Sequence, residues 1–209
     1  MTLPDGVERR TFDEEERLAT RGPTVYGEPT DGEWRAWDAR RSKLGATFEK
    51  GLDTGLEGDD SVLYLGAASG TTVSHVADFA GPTYAVEFAA RPARDLVGVA
   101  EDRSRLFPLL KDARKPDTYA HVVEKDLDAI VQDVATRGQA RVALENRQFL
   151  AGDGRLVAAI KARSEDVTAE PADVFAEVLD ELEAGYEILD TERLEPFHDD
   201  HLALVARPK

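Results

Sequence analysis

The stretch Val62-Leu63-Tyr64-Leu65-Gly66-Ala67-Ala68-Ser69-Gly70-Thr71-Thr72-Val73 decides how the rest of the chain is read. Its opening run of four apolar residues is too short for a helix and fits a strand buried on both faces of a parallel sheet. Gly66 stops the run, small residues make a tight loop, and Thr71-Thr72 open a helix carrying Val73, Val76 and Phe79. A helix that begins directly after such a loop offers free backbone N–H groups and a positive dipole end to a polar or anionic ligand.

Toward the C-terminus the alternation of strand and helix repeats. Tyr84-Ala85-Val86-Glu87-Phe88 predicts a second strand, followed by a helix over 91–100. Leu106-Phe107-Pro108-Leu109-Leu110 predicts a third strand, ending at Lys111-Asp112, and Leu127-Asp128-Ala129-Ile130-Val131 a fourth, ending at Gln132-Asp133. A helix over 139–150 and a turn at Gly152-Asp153-Gly154 lead to a fifth strand ending at Lys161. A helix over 172–183, a strand over 186–189 and a last strand over 202–205 complete the pattern. This is the signature of a Rossmann-like, doubly wound α/β domain with a mostly parallel, seven-stranded sheet. With no helix between the last two strands, the final one is expected to run antiparallel.

Toward the N-terminus the pattern dissolves. Residues 1–55 carry much Gly, Pro and charge, and they read as a small β-rich domain ending in a helix over 42–51, with 56–209 as the main domain. Short β-prone pieces are expected at Thr24-Val25-Tyr26 and over 33–37, and Asp13-Glu14-Glu15-Glu16 reads as a solvated acidic run.

The 209 residues include 42 acids against 26 bases, a net charge of −16, and only seven of the bases are Lys. Such acidity argues against a free-standing nucleic-acid binder. It also fits a surface made for concentrated salt, where charges more than about 3 Å apart are largely screened at 1 M. The absence of cysteine excludes disulfides, thiolate metal sites and Cys nucleophiles. There is no long apolar span and no basic-then-apolar leader, so the expectation is a cytoplasmic protein with no membrane association.

In open α/β sheets the ligand lies beyond the carboxyl ends of the strands. Those positions hold the loop from Gly66 to Thr72, then Glu87, Asp112, Asp133 and Lys161. An acid ending the second strand is where nucleoside-binding folds hold ribose hydroxyls. Gly-x-Gly-x-x-Gly is absent, which disfavours a dinucleotide and favours a mononucleoside such as S-adenosylmethionine. No metal-ligand spacing is present.

The loop from Tyr64 to Val76 closely resembles the cofactor loop of the fibrillarin family, the box C/D RNA-guided ribose 2′-O-methyltransferases. Tyr84-Ala85-Val86-Glu87-Phe88, Asp112-Ala113-Arg114-Lys115-Pro116, Ala159-Ile160-Lys161-Ala162-Arg163-Ser164 and Leu194-Glu195-Pro196-Phe197 with Asp200-His201 continue the likeness. The segment from Val25 to Leu44 is similar to archaeal members. The resemblance implies a class I methyltransferase fold. It places the cofactor on Gly66, Ala68, Gly70, Thr71 and Thr72, with Glu87 on the ribose, Phe88 on the adenine face and Asp112 and Ala113 on the adenine edge. Asp133, Val134, Ala135 and Thr136 line the wall beside the sulfonium, and the catalytic set falls on Lys43, Asp133, Lys161 and His201. Two departures stand out: a shortened turn at Gly81-Pro82, and Thr136-Arg137 where the family usually has Gln-Pro. His75, although inside the loop motif, reads as a packing histidine.

The implied reaction is in-line transfer from S-adenosylmethionine to a ribose 2′-hydroxyl of rRNA or tRNA, helped mainly by alignment. Lys161, facing and oriented by Asp133, is expected to contact that hydroxyl, as general base or as electrostatic guide. Lys43, with His201 nearby, is expected to position the ribose and its phosphate. With no RNA-recognition motif in the chain, the resemblance assigns target choice to a guide RNA assembled with the scaffold Nop5 and with L7Ae. The rival readings are a stand-alone methyltransferase and a non-catalytic assembly subunit.

Overall fold

The computed structural model describes residues 2–209. An N-terminal antiparallel sheet is formed by β1 (Val7–Phe12), β2 (Glu15–Arg21), β3 (Thr30–Asp31) and β4 (Trp34–Trp37), in the order β1-β2-β4-β3. The helix α1 (Lys43–Glu49) follows, its first turn capped by Ser42, whose Oγ accepts from the Gly45 N–H at 3.0 Å. The main unit then runs β5 (Val62–Leu65), α2 (Thr71–Phe79), β6 (Thr83–Glu87), α3 (Ala90–Glu101), β7 (Leu106–Leu110) and β8 (Leu127–Gln132). It continues through α4 (Gln139–Asn146), β9 (Leu150–Lys161), α5 (Ala162–Glu165), α6 (Pro171–Leu182), β10 (Tyr186–Arg193) and β11 (His201–Pro208).

The seven-stranded order is β10-β11-β9-β8-β5-β6-β7. Neighbours from β7 through β9 are parallel, whereas β11 is antiparallel to both β9 and β10. The sheet is covered on both faces, which is why its central strands read as unbroken apolar runs. Leu63, Leu65, Ile130, Leu156 and Ile160 join α4 and α6 in one core, through Val142, Phe175 and Val178. Val62, Tyr64, Ala129, Val131 and Val157 face the other way, toward Val73, Val76, Leu96, Leu44 and Phe48. Leu18 and Trp37 of the small sheet belong to this second core, so the N-terminal residues share the main unit's interior.

The acidic run is exposed, as expected, and it also carries a hairpin: Asp13 and Glu14 take φ 49° and 71° and join β1 to β2 as a two-residue turn, with Phe12 paired to Glu15. Two local readings need correction. Thr24-Val25-Tyr26 forms no strand; its backbone N–H groups at Val25 and Tyr26 donate to the Glu28 carboxylate instead. Gly152-Asp153-Gly154 lies inside β9, where the register with β8 jumps from Leu127↔Leu150 to Ala129↔Arg155, so the strand bulges there and does not begin after a turn.

Candidate active site

The chain leaves β5 and β8 toward opposite sides of the sheet, and a cleft opens between their carboxyl ends. Gly66 sits at this crossing with φ 86°, and a Cβ there would stand 2.2 Å from the Asp133 carbonyl oxygen, so no other residue fits. Ala68 is held in the left-handed region at φ 47°, with its N–H donating to Glu87 Oε2 at 2.9 Å. The Ala89 N–H donates to Oε1 at 2.8 Å. Glu87 is therefore buried and fixed in orientation, and each oxygen keeps acceptor capacity for a further donor such as a hydroxyl. Gly70, at φ 98°, precedes α2 with no side-chain cap, leaving the helix's first N–H groups open.

The cleft holds about 410 Å³, within the range of small-ligand sites. Of the residues expected to bind a cofactor, Gly66, Ala68, Glu87, Phe88, Asp112, Ala113, Asp133, Val134, Ala135 and Thr136 line it. Gly70, Thr71 and Thr72 do not. Thr71 opens onto a neighbouring groove with Tyr26, Arg41 and Arg94, while Thr72 is turned inward. Phe88 is 69% exposed at the rim, an aromatic face free to stack on a base. Asp112 is clamped by Arg114, whose Nε and Nη2 lie 2.9 and 2.8 Å from its two oxygens, and this pairing holds the carboxyl below its usual range. Val86, Pro92, Lys111, Arg114 and Val142 also line the cleft and were missed from sequence. For Lys111 and Arg114 the signal was available, since they flank Asp112 at the end of β7.

At the cleft's edge Lys43 Nζ donates to Asp133 Oδ2 at 3.0 Å. The expected pairing of Asp133 with Lys161 is therefore corrected. Gln132 is level with Ala158, which places Lys161 two residues, or about 7 Å, further along the sheet than Asp133. The start of α1 lies above the sheet at that point, and its first residue takes the carboxylate. Lys161 and His201 are directly paired residues of β9 and β11, so their side chains share a face. His201 is 7% exposed, with Nδ1 2.6 Å from the Asp199 carbonyl and a buried Nε2 that has no partner. Burial lowers its pKa; the Asp199 contact opposes this, while Lys43 pushes the same way and Asp133 the other. The ring is thus neutral, lies within the field of the Lys43–Asp133 pair, and offers a bare nitrogen.

His75 is a structural residue, as expected. It stacks on Trp37 with ring centroids 4.8 Å apart and bonds Thr20 at 2.7 Å and Tyr26 at 3.2 Å. Burial first, then Arg35 and Arg103, drives its pKa well below the ordinary value. Beside it, Arg35 spans from Glu28 at 2.5 Å to Asp78 at 2.8 Å and Ser74 at 2.9 Å, and Asp78 also takes Arg103 at 3.0 Å. This buried seam fastens the small sheet to α2 and fixes where α1 starts. Among the described residues no group of three or more His, Asp or Glu is placed to hold a metal ion.

A parallel sheet closed by an antiparallel strand, a glycine crossing at the switch point and an anchored acid ending the second strand define a Rossmann-like class I methyltransferase fold. The family is specific: residues 7–209 match the Fibrillarin family model, and the chain belongs to the fibrillarin family. It is 73% identical, over the whole of both chains, to the fibrillarin-like rRNA/tRNA 2′-O-methyltransferase of Halobacterium salinarum. Among solved structures, a fibrillarin in complex with Nop5p matches with a TM-score of 0.91 at 40% identity, covering all of both chains. Aeropyrum pernix fibrillarin with natively bound S-adenosyl-L-methionine matches at 0.85 and 44% identity, over 96% of this chain and 94% of that one.

Proposed function

We propose that this chain transfers a methyl group from S-adenosylmethionine to the ribose 2′-hydroxyl of rRNA and tRNA, as the catalytic subunit of a box C/D ribonucleoprotein. The observation that carries this reading is the gathering of Lys43, Asp133, Lys161 and His201 beside a nucleoside-sized cleft. The cleft suits the cofactor. Glu87 keeps free acceptors for the ribose hydroxyls, Phe88 offers a face to the adenine, and Val86, Val134 and Val142 give apolar wall. Bound there, S-adenosylmethionine supplies an electrophilic methyl carbon already activated by its sulfonium charge.

The protein's part is mainly alignment, which lowers the barrier without any covalent intermediate. Glu87, Gly66 and Ala68 hold the cofactor, and Asp133, Val134, Ala135 and Thr136 form the wall beside the reacting methyl group. Lys43, steadied by Asp133, positions the substrate ribose and its phosphate. Lys161 contacts the 2′-hydroxyl and stabilises charge as its proton leaves. Next to Lys161 in register, neutral His201 supplies an unprotonated Nε2 to take that proton onward. We also read residues 1–55 as the unit that delivers Lys43 to the main domain, 56–209.

The chain has no RNA-reading motif and a net charge of −16, so target choice falls to partners: Nop5 as scaffold, L7Ae and a guide RNA, working in the cytoplasm. The solved complex of a relative with Nop5p supports the first of these. No helix among the described residues is long and apolar enough to cross a membrane. The test is to incubate the chain with labelled S-adenosylmethionine and target RNA, alone and assembled with Nop5, L7Ae and guide. One 2′-O-methylated ribose within the guide–target duplex, formed by the assembly alone, is expected. Efficient site-specific transfer by the free chain would make it a stand-alone enzyme, and no transfer in either case would leave an assembly subunit.

A further inference from the structure

Behind the cleft a buried polar clamp reaches the backbone of Lys161. The strand β8 ends at Gln132, level with Ala158, so the last residues of β9 have no ladder partner on that side. The side chain of Gln139, the first residue of α4 and fully buried, stands in for the missing strand. Its Oε1 accepts from the Lys161 N–H at 2.9 Å, and its Nε2 donates to the Lys161 carbonyl at 3.1 Å. Gln139 is itself held at three points. Its Nε2 also donates to Glu165 Oε1 at 3.0 Å, its backbone N–H donates to the same carboxylate at 2.6 Å, and its carbonyl accepts from Gln132 Nε2 at 2.9 Å. None of Gln139, Gln132 and Glu165 lines the cleft.

We propose that Gln139 is a positioning residue for methyl transfer. By completing the hydrogen bonding of the Lys161 backbone it fixes where the lysine stem leaves the sheet, and so where the ammonium meets the ribose hydroxyl. This rests on the reading that Lys161 acts in the reaction. The amide is the side chain suited to the task, because it offers one acceptor and one donor to the N–H and C=O of a single residue. An apolar side chain of the same length would leave both groups without partners and free the strand end to drift. A displacement of about 1 Å near the reacting atoms is enough to cost about 100-fold in rate.

The experiment uses Gln139→Met and Gln139→Glu in the assembled particle, with Lys161→Ala as the second axis. Gln139→Met is expected to slow single-turnover transfer by ~10–100-fold, with cofactor affinity and KM for RNA within about twofold of wild type. Gln139→Glu keeps the acceptor but sets a carboxylate oxygen against Glu165 Oε1 and the Lys161 carbonyl, and is expected to slow transfer at least as much as Gln139→Met. On the Lys161→Ala background, with particle in excess and long incubations, Gln139→Met is expected to change the residual rate by less than about twofold, because its route of action is already gone. A wild-type rate for Gln139→Met overturns the proposal, and so does a loss that multiplies in full on the Lys161→Ala background. If Gln139→Met does not fold, Gln139→Glu carries the same comparisons. If Lys161→Ala itself transfers at the wild-type rate, the role of Lys161 fails first and the proposal with it, an outcome distinct from a normal Gln139→Met beside an impaired Lys161→Ala.

Discussion

Two groups of opposite charges lie within one small protein and are built to different standards. In the seam between the N-terminal sheet and α2, Arg35 is fully buried and uses Nε, Nη1 and Nη2 on Asp78, Glu28 and Ser74, while Asp78 also accepts from Thr20 and Arg103. At the cleft, Lys43 and Asp133 share a single 3.0 Å contact with side chains 28% and 22% exposed. Lys161 is tied through its backbone, and His201 Nε2 is bare. Charges that hold the fold are saturated, whereas those at the cleft keep hydrogen-bonding capacity in reserve. Burial decides the cost of each arrangement, since an unpaired charge is expensive only where water cannot reach it.

The sharpest way to break this contrast is to remove one partner from each group. Arg35→Met leaves Glu28 as an uncompensated buried acid and Asp78 with Arg103 as its one remaining cation, and is expected to destabilise the fold by about 3–5 kcal/mol in urea unfolding. Lys43→Met, in the same assay, is expected to cost no more than about 1 kcal/mol. Equal losses would mean that the two groups are not different in kind.

The next effect is on rate. Lys161→Ala is expected to lower single-turnover transfer in the assembled particle at least ~100-fold, about 2.7 kcal/mol in barrier, with cofactor affinity nearly unchanged. A rate near wild type removes Lys161 from the reaction. Glu87→Ala should do the opposite, weakening cofactor binding by about 1.5–3 kcal/mol through lost charged hydrogen bonds. Titration calorimetry with S-adenosylmethionine checks this, and an unchanged affinity would show that the ribose is held elsewhere.

The smallest effect is linked to pH. His201 is kept neutral in the fold, whereas an unfolded histidine takes a proton below about pH 6.5. Below that value the unfolded chain binds more protons, so this contribution to stability is complete above pH 6.5 and shrinks as pH falls toward the folded value. At pH 5.5 the loss amounts to at most about 1.4 kcal/mol. The stability difference between wild type and His201→Gln, followed from pH 7.5 to 5.5, is expected to narrow by that order. A constant difference would mean that His201 titrates alike in both states.

Much of this was legible from residues 61–161, because strands buried on both faces announce themselves as apolar runs and their ends fall at countable positions. Glu87, Asp112 and Asp133 were found in that way. The N-terminal hairpin was hidden because Glu14, not a glycine, follows Asp13 in the turn, and Glu is rare at positive φ. Partner choice at Asp133 was hidden for another reason. It depends on how far β9 runs past β8 and on where α1 lands, and neither is a local property of the sequence. The Gln139 clamp was invisible for the same cause, a side chain standing where a strand would be. The charge composition carried its own message: a surface suited to concentrated salt accords with the high identity to the Halobacterium salinarum protein.

One feature of the sheet links chain growth to competence. The strand β11 follows β10 in sequence yet lies between β10 and β9 in space. During synthesis, a chain that has reached β10 already holds every residue of the cofactor cleft. It still lacks His201 and the strand that flanks Lys161 on its outer side. A product that stops at β10 thus carries the cleft residues without the residue that pairs with Lys161. The strand that fills the gap between β9 and β10 is also the one that sets His201 beside Lys161, so closing the sheet and completing the proposed charged set are one event.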